Sequence, residues 1–223
     1  MTSRGPKSGR APVKTAVVFS AALTCLLTVG PAQAETNSPA ADSAQAKAKR
    51  RSDFTIGTSG GFGFGRASGY PNKVQQIGDS SFRSNTQLAV GSGGLIWLGV
   101  AFNDYLTFGL GGGGFSLSGN GRDASAGIFA FHVDAYPLFD LDKNLQDLGL
   151  FTNFGTGPMT IKGGPDQADG GLMSYLEGGV VYERVRLWHF GFGPSFSVIH
   201  MWSQSATATT ALVGGRLAFY GGP

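Results

Sequence analysis

Between Arg186 and Trp202 the chain reads RLWHFGFGPSFSVIHMW, and large residues alternate with small or polar ones. Trp188, Phe190, Phe192, Phe196 and Val198 share one parity; Leu187, His189, Gly191, Gly193, Ser195 and Ser197 share the other. Successive side chains of a strand point to opposite faces, so this stretch carries a wall of large apolar groups on one side and a lean surface on the other. A barrel strand in lipid has its greasy face outward, whereas a soluble barrel inverts the arrangement. The rest of the chain decides which direction applies.

The same period of two recurs from Phe54 onward. Phe54, Ile56, Phe62 and Phe64 alternate with Thr55, Gly57, Ser59, Gly61 and Gly63 in a first strand. A second runs from about Asn85 to Phe102, and a break at Asn103-Asp104 leads into a third from Tyr105 to about Ser118, a tight hairpin pattern. Within the third strand the parity of the large residues changes across Gly111–Gly114, from Leu106, Phe108 and Leu110 to Phe115 and Leu117, which predicts a β-bulge. A fourth strand covers about Ser125–Phe139, and a fifth covers Leu148–Ile161 with an interruption at Gly157-Pro158. A sixth covers Gly171–Tyr182 and ends in a turn at Glu183-Arg184. The Arg186–Trp202 segment is the seventh strand, and an eighth follows Ser203–Ala206, with Val213, Leu217 and Phe219 alternating with Thr210, Leu212, Gly214, Arg216 and Ala218. The even count puts both termini of the chain on one side of the barrel, the side with mainly short turns, while the longest intervals, 67–83 and 162–170, fall on the other. The expected fold is an all-β, eight-stranded antiparallel up-and-down transmembrane β-barrel over residues 53–220.

Thirty-seven glycines weaken ordinary strands, but a narrow barrel needs small inward residues and strongly coiled strands.

Residues 1–34 read as a signal peptide: Arg4, Lys7, Arg10 and Lys14 precede an apolar run from Thr15 to Gly30, and Ala32-Gln33-Ala34 offers a cleavage site. A retained membrane helix is the alternative, though the run is short for a span. The single cysteine, Cys25, lies in this segment, so disulfide and redox mechanisms drop out of the mature chain. Residues 35–52, rich in Ala, Ser, Asn and Gln, read as a flexible periplasmic lead. Its basic end from Lys47 to Arg51 is a solvated linker or a contact for anionic head groups. The pI of about 9.1 comes from the leader. Residues 35–223 hold thirteen Lys and Arg against fourteen Asp and Glu, which leaves no basic stripe for nucleic acid.

The chain resembles the small eight-stranded outer-membrane β-barrel family, such as the OmpA transmembrane domain and OmpX-like proteins. The resemblance lies in the signal peptide, the strand count, the loop asymmetry and the terminal alternation Val213, Gly215, Leu217, Phe219. It implies location in a Gram-negative outer membrane, contact with outer-membrane lipid, and recognition of the last strand by the barrel-assembly machinery. Two departures are the trailing Gly221-Gly222-Pro223 and Pro194 within a strand.

Parity assigns a polar set to the lumen: His132, Asp134, Asn153, Tyr175, Glu177, His189 and Arg216. Charges in a water-poor lumen need partners, so Arg216 is expected to pair with Asp134 or Glu177, as a static plug or as a gate. Trp97, Trp188, Trp202 and Tyr220 are expected at the membrane interfaces. Residues 109–114 match G-x-G-x-x-G, but a strand follows where a dinucleotide site needs a helix. His132-x-Asp134 lacks a third metal ligand by spacing. No cofactor is expected, and the sequence assigns no oligomeric state.

Three functions remain: a barrel with a structural, surface-interaction or narrow-pore role; a membrane-embedded lipid A-modifying hydrolase using His200 with Ser197, Ser203 or Ser205; and a secreted soluble barrel for an apolar ligand.

Overall fold

The computed structural model describes residues 50–163 and 167–222; the expected signal peptide and most of the expected lead lie outside the described residues. Eight long strands follow one another: β1 (Asp53–Gly69), β2 (Ala89–Asn103), β3 (Leu106–Gly119), β4 (Arg122–Ala135), β5 (Leu148–Lys162), β6 (Ala168–Tyr182), β7 (Phe190–Trp202) and β8 (Ala206–Tyr220). Each pairs antiparallel with its neighbour in sequence, and β8 pairs with β1, which closes the sheet into a barrel. Two short pieces, Ser84–Asn85 and Val185–Leu187, extend the edges of β1 and β7.

The pairings also fix the shear. A walk from Asp53 passes Ala101, Thr107, Asp134, Phe151, Gly179, Ser197 and Leu212, and returns to β1 at Gly63, ten residues further along. Eight strands with this stagger tilt by about 40° from the barrel axis. The outward row of β1 from Phe54 to Phe64 then rises about 25 Å along the axis, the height of a lipid-facing band. Phe54, Ile56, Phe62 and Phe64 are all exposed, as are Ile96 and Leu98 on β2, Phe129 and Phe131 on β4, and Phe192 and Phe196 on β7. The opposite parity is buried or half-buried. The barrel therefore has an apolar exterior.

The strands differ from the sequence expectation in several places. No bulge interrupts β3, because its register against β2 is unbroken from Val90↔Ser118 to Ala101↔Thr107. Phe115 and Leu117 simply point into the lumen, so the change of parity marks large residues moving from the outer to the inner face. The irregularities instead fall at Ala101/Asn103 and Met159/Thr160. The seventh strand does not run through from Arg186: the chain reverses at Trp188-His189, with Trp188 at φ 57, and Leu187 pairs with Phe190. Glu183-Arg184 is thus a bulge, since Val181 faces Ser195 while Val185 faces Phe192. Pro194 lies in that interval, where the β6 ladder is already interrupted and a missing N–H removes little.

The loop asymmetry also narrows. β1 extends to Gly69 and β6 begins at Ala168, so the long connection at the loop end is 70–88, with a 3-10 turn at Ser80–Phe82 capped by Asp79. At the terminal end the connections are a two-residue turn after Asn103, the 136–147 segment, and the Trp188-His189 turn. Finally, the end of the lead is not free: Arg51 is fully buried and Ser52 nearly so, while the amides of Gly221 and Gly222 donate to the carbonyls of Phe54 and Ser52.

Candidate functional site

The lumen of a narrow barrel is filled by whatever its inward rows carry, and here those rows place polar side chains side by side. His132 on β4 pairs with Asn153 on β5, which pairs with Glu177 on β6. Neighbouring positions in one row bring side chains within reach without any loop. His132 Nδ1 lies 2.6 Å from Asn153 Oδ1, Asn153 Nδ2 donates to Glu177 Oε2 at 2.7 Å, and the Tyr175 hydroxyl donates to the same oxygen at 2.5 Å.

Arg216 enters from β8, flanked by Ser59 and Gly193 on the adjoining strands. These small neighbours let the long side chain cross the lumen, where its two terminal nitrogens donate to the two oxygens of Asp134. Such a bidentate pair is the favourable geometry for a buried carboxylate and guanidinium. His132 Nε2 lies 3.0 Å from Asp134 Oδ2, and Arg216 Nε lies 3.3 Å from Glu183 Oε1; both are close contacts without aligned hydrogen bonds. Glu177 is not the partner of Arg216. One continuous polar chain runs Tyr175, Glu177, Asn153, His132, Asp134, Arg216, Glu183.

Trp97 belongs to this network and not to a membrane interface. It is 1% exposed, its ring stacks on His132 with centroids 4.2 Å apart, and the Arg216 guanidinium sits 4.4 Å over it. Gly57 faces it across the β1–β2 pair, where a Cβ would overlap the indole ring. Tyr220 is likewise inside, 2% exposed, donating to Glu183 at 3.0 and 3.2 Å. Both residues have inward parity, and that geometry overrides the preference of Trp and Tyr for lipid interfaces. His189 moves the other way: it occupies the turn before β7 and packs against Trp188 and Phe219. Trp188, 83% exposed, and Trp202 lie outward at opposite ends of the barrel.

Glu183, Asp147, Tyr136, Arg186 and the lead residues Arg50 and Arg51 are the members that sequence reasoning missed. Glu183 continues the inward parity of Tyr175, Glu177 and Val181, a signal available in the sequence but hidden by reading Glu183-Arg184 as a turn. Burial by itself would lower the Arg51 pKa. Tyr136 and Tyr220 and the Glu183 and Asp147 carboxylates outweigh it and hold the pKa above the ordinary guanidinium value.

None of the serines expected beside His200 is its hydrogen-bond partner. His200 is on the outer face with Nδ1 2.9 Å from Thr209 Oγ1 and its ring stacked on Trp202, whereas Ser197 faces the lumen and Ser203 lies 3.3 Å from Ser205. Among the described residues no three His, Cys, Asp or Glu side chains converge as metal ligands, and Asp134 is already engaged by Arg216.

No protein-family model matches this sequence, and no curated protein matches it. Solved structures with a similar fold include Neisserial surface protein A, at 11% identity with a TM-score of 0.47, covering 75% of this chain and 97% of that one. Ail, the attachment invasion locus protein of Yersinia pestis, is 9% identical with a TM-score of 0.43, covering 73% and 98%. The outer membrane protein OprG from Pseudomonas aeruginosa is 12% identical with a TM-score of 0.39, covering 77% and 98%. The strand pairings define the fold of this chain, and its resemblance to small eight-stranded outer-membrane barrels is one of architecture.

Proposed function

We propose that this protein is an outer-membrane β-barrel with a closed lumen and a structural or surface-interaction role. The observation that carries the reading is the pairing of a lipid-like exterior with a filled interior. The outward rows expose Phe, Leu, Ile and Val over about 25 Å, while the central cavity bounded by Leu95, Ile128, Phe151 and Glu177 holds only about 20 Å³. That volume is room for roughly one water molecule. Arg216 and Asp134 bridge the lumen below it. A diffusion pore needs an aqueous path, and a cavity of this size above a bridging ion pair does not supply one. The outward Val213, Gly215, Leu217 and Phe219 of β8 supply the surface that outer-membrane lipid and the assembly machinery meet in this reading.

Membrane fractionation followed by gel mobility of unboiled and boiled samples tests the location. A membrane-bound, heat-shifted band is expected, and a soluble protein without a shift refutes the reading. Planar-bilayer recording of the refolded protein tests closure: no conductance steps are expected, and sustained unitary steps restore the narrow-pore role. Lipid A mass spectra on expression are expected to stay unchanged, in line with the separation of His200 from Ser197.

A further inference from the structure

The terminal mouth of the barrel is built like a receptor for something planar and cationic. Tyr136, fully buried, offers a ring face; Asp147 and Glu183 offer carboxylates; the Asp104 carbonyl faces the same space. These groups come from three separate places in the chain: the β2–β3 turn, the β4–β5 connection and the bulge after β6. Barrel closure alone brings them together. Gly191 beside Glu183 keeps the approach open, since a Cβ there would crowd the carboxylate.

The occupant is the chain's own lead. The Arg51 guanidinium lies 3.4 Å over the Tyr136 ring, with Nη2 3.2 Å from Asp147 and 3.5 Å from Glu183, and Nη1 3.4 Å from the Asp104 carbonyl. Arg50 donates to both oxygens of Asp147 at 2.7 and 2.8 Å. The main chain is read as well: Asp104 Oδ1 accepts the amides of Arg50 and Arg51, each at 2.7 Å, and Arg186 donates to the Arg50 carbonyl at 3.0 Å. One residue beyond this pair, after Ser52, Asp53 adopts φ 61, a left-handed conformation uncommon for a non-glycine residue, where the lead meets β1. Without Arg50 and Arg51 the mouth retains the Asp104, Asp147 and Glu183 carboxylates beside Arg186, which contacts Asp147 and Glu183, and Arg216, whose terminal nitrogens are held by Asp134 while its Nε lies near Glu183. Stacking on an aromatic face combined with carboxylates suits a planar guanidinium over a compact ammonium.

We propose that the terminal mouth is a binding site for an extended Arg-Arg peptide segment, filled in cis by Arg50–Arg51, and that the site accepts guanidinium ligands in trans when Arg51 is removed. The inference stands on the barrel's geometry and is independent of whether the lumen conducts or which membrane holds it.

Chemical rescue tests it. The mature chain, refolded in detergent, is compared with Arg51→Ala by thermal unfolding in millimolar methylguanidinium or methylammonium. The expected result is a lowered midpoint for Arg51→Ala that methylguanidinium raises by several degrees and methylammonium does not. No gain is expected in the unsubstituted protein, or in Arg51→Ala combined with Glu183→Gln. A peptide of residues 49–52, acetylated and amidated, is expected to rescue at lower concentration than methylguanidinium. Absence of rescue, equal rescue by the ammonium, or an equal gain without the substitution overturns the proposal. Arg51→Lys covers a failure of the alanine variant to refold. It keeps the charge and loses the fork, so a midpoint equal to that of the unsubstituted protein overturns guanidinium recognition.

Discussion

Toward the loop end the lumen is filled by Leu117, Met159, Ile161, Met173 and Met201, each at most 1% exposed; toward the terminal end the same inward parity carries Trp97, His132, Asp134, Arg216 and Glu183. The two halves share strands, registers and width, yet they are held by different physics. Apolar side chains tolerate small displacements, and flexible methionines fill irregular space at little conformational cost. A buried charge tolerates almost none, because losing its partner leaves the desolvation penalty uncompensated. The terminal half is therefore the more brittle, and the loop half the more forgiving. The exterior does not reflect this division, since large apolar residues such as Phe54, Phe64, Phe190 and Val198 appear outward near both ends.

Arg216→Met is the strongest way to break the contrast. It strands the fully buried Asp134 beside His132, and a loss of about 3–5 kcal/mol is expected in urea-induced unfolding in micelles. Adding Asp134→Leu removes the orphaned charge and is expected to recover most of that loss. A double variant as unstable as the single one means that the pair was not what the terminal half depended on.

Met201→Ala probes the other half. Fully buried among apolar neighbours, it is expected to cost roughly 2–5 kcal/mol in the same assay, toward the lower end where neighbouring methionines relax into the space. A cost above that of Arg216→Met reverses the ranking of the two halves.

Gly57→Ala sharpens the terminal half by shape alone, because the added methyl overlaps the Trp97 ring while leaving every charge in place. An overpacking cost of about 1–3 kcal/mol is expected. The accompanying change in Trp97 fluorescence is best read in a variant with Trp188 and Trp202 replaced by Phe. In that background brominated lipid is expected to leave Trp97 unquenched, since the ring is inside; efficient quenching contradicts its placement.

The smallest effect is expected from His200→Ala on the outer face, within about 0.5 kcal/mol of the parent in unfolding. A larger loss assigns the His200–Thr209 contact a structural weight that its exposure does not suggest.

Most of the polar chain was legible from parity, because in a barrel the inner and outer faces are assigned by counting residues two at a time. The same rule applied to Trp97, Glu183 and Tyr220 places them inside; composition habits for Trp and Tyr, and the look of a Glu-Arg turn, obscured it. His189 was misplaced because parity holds only while a strand continues, and the reversal at Trp188-His189 ends it. Arg51 had no such signal, since it precedes the first strand and its burial depends on where Asp104, Tyr136, Asp147 and Glu183 arrive after closure.

The sequence by itself determined the all-β class, the number of long strands and which parity of most strands faces outward, because these follow from a period of two and from turn spacing. The tertiary structure decided the stagger of ten residues, the choice of Asp134 over Glu177 as partner of Arg216, and the closing of the terminal mouth by the lead. Alternation fixes the face a side chain takes, but only the register between strands fixes its height, and across a narrow lumen height decides which charges meet.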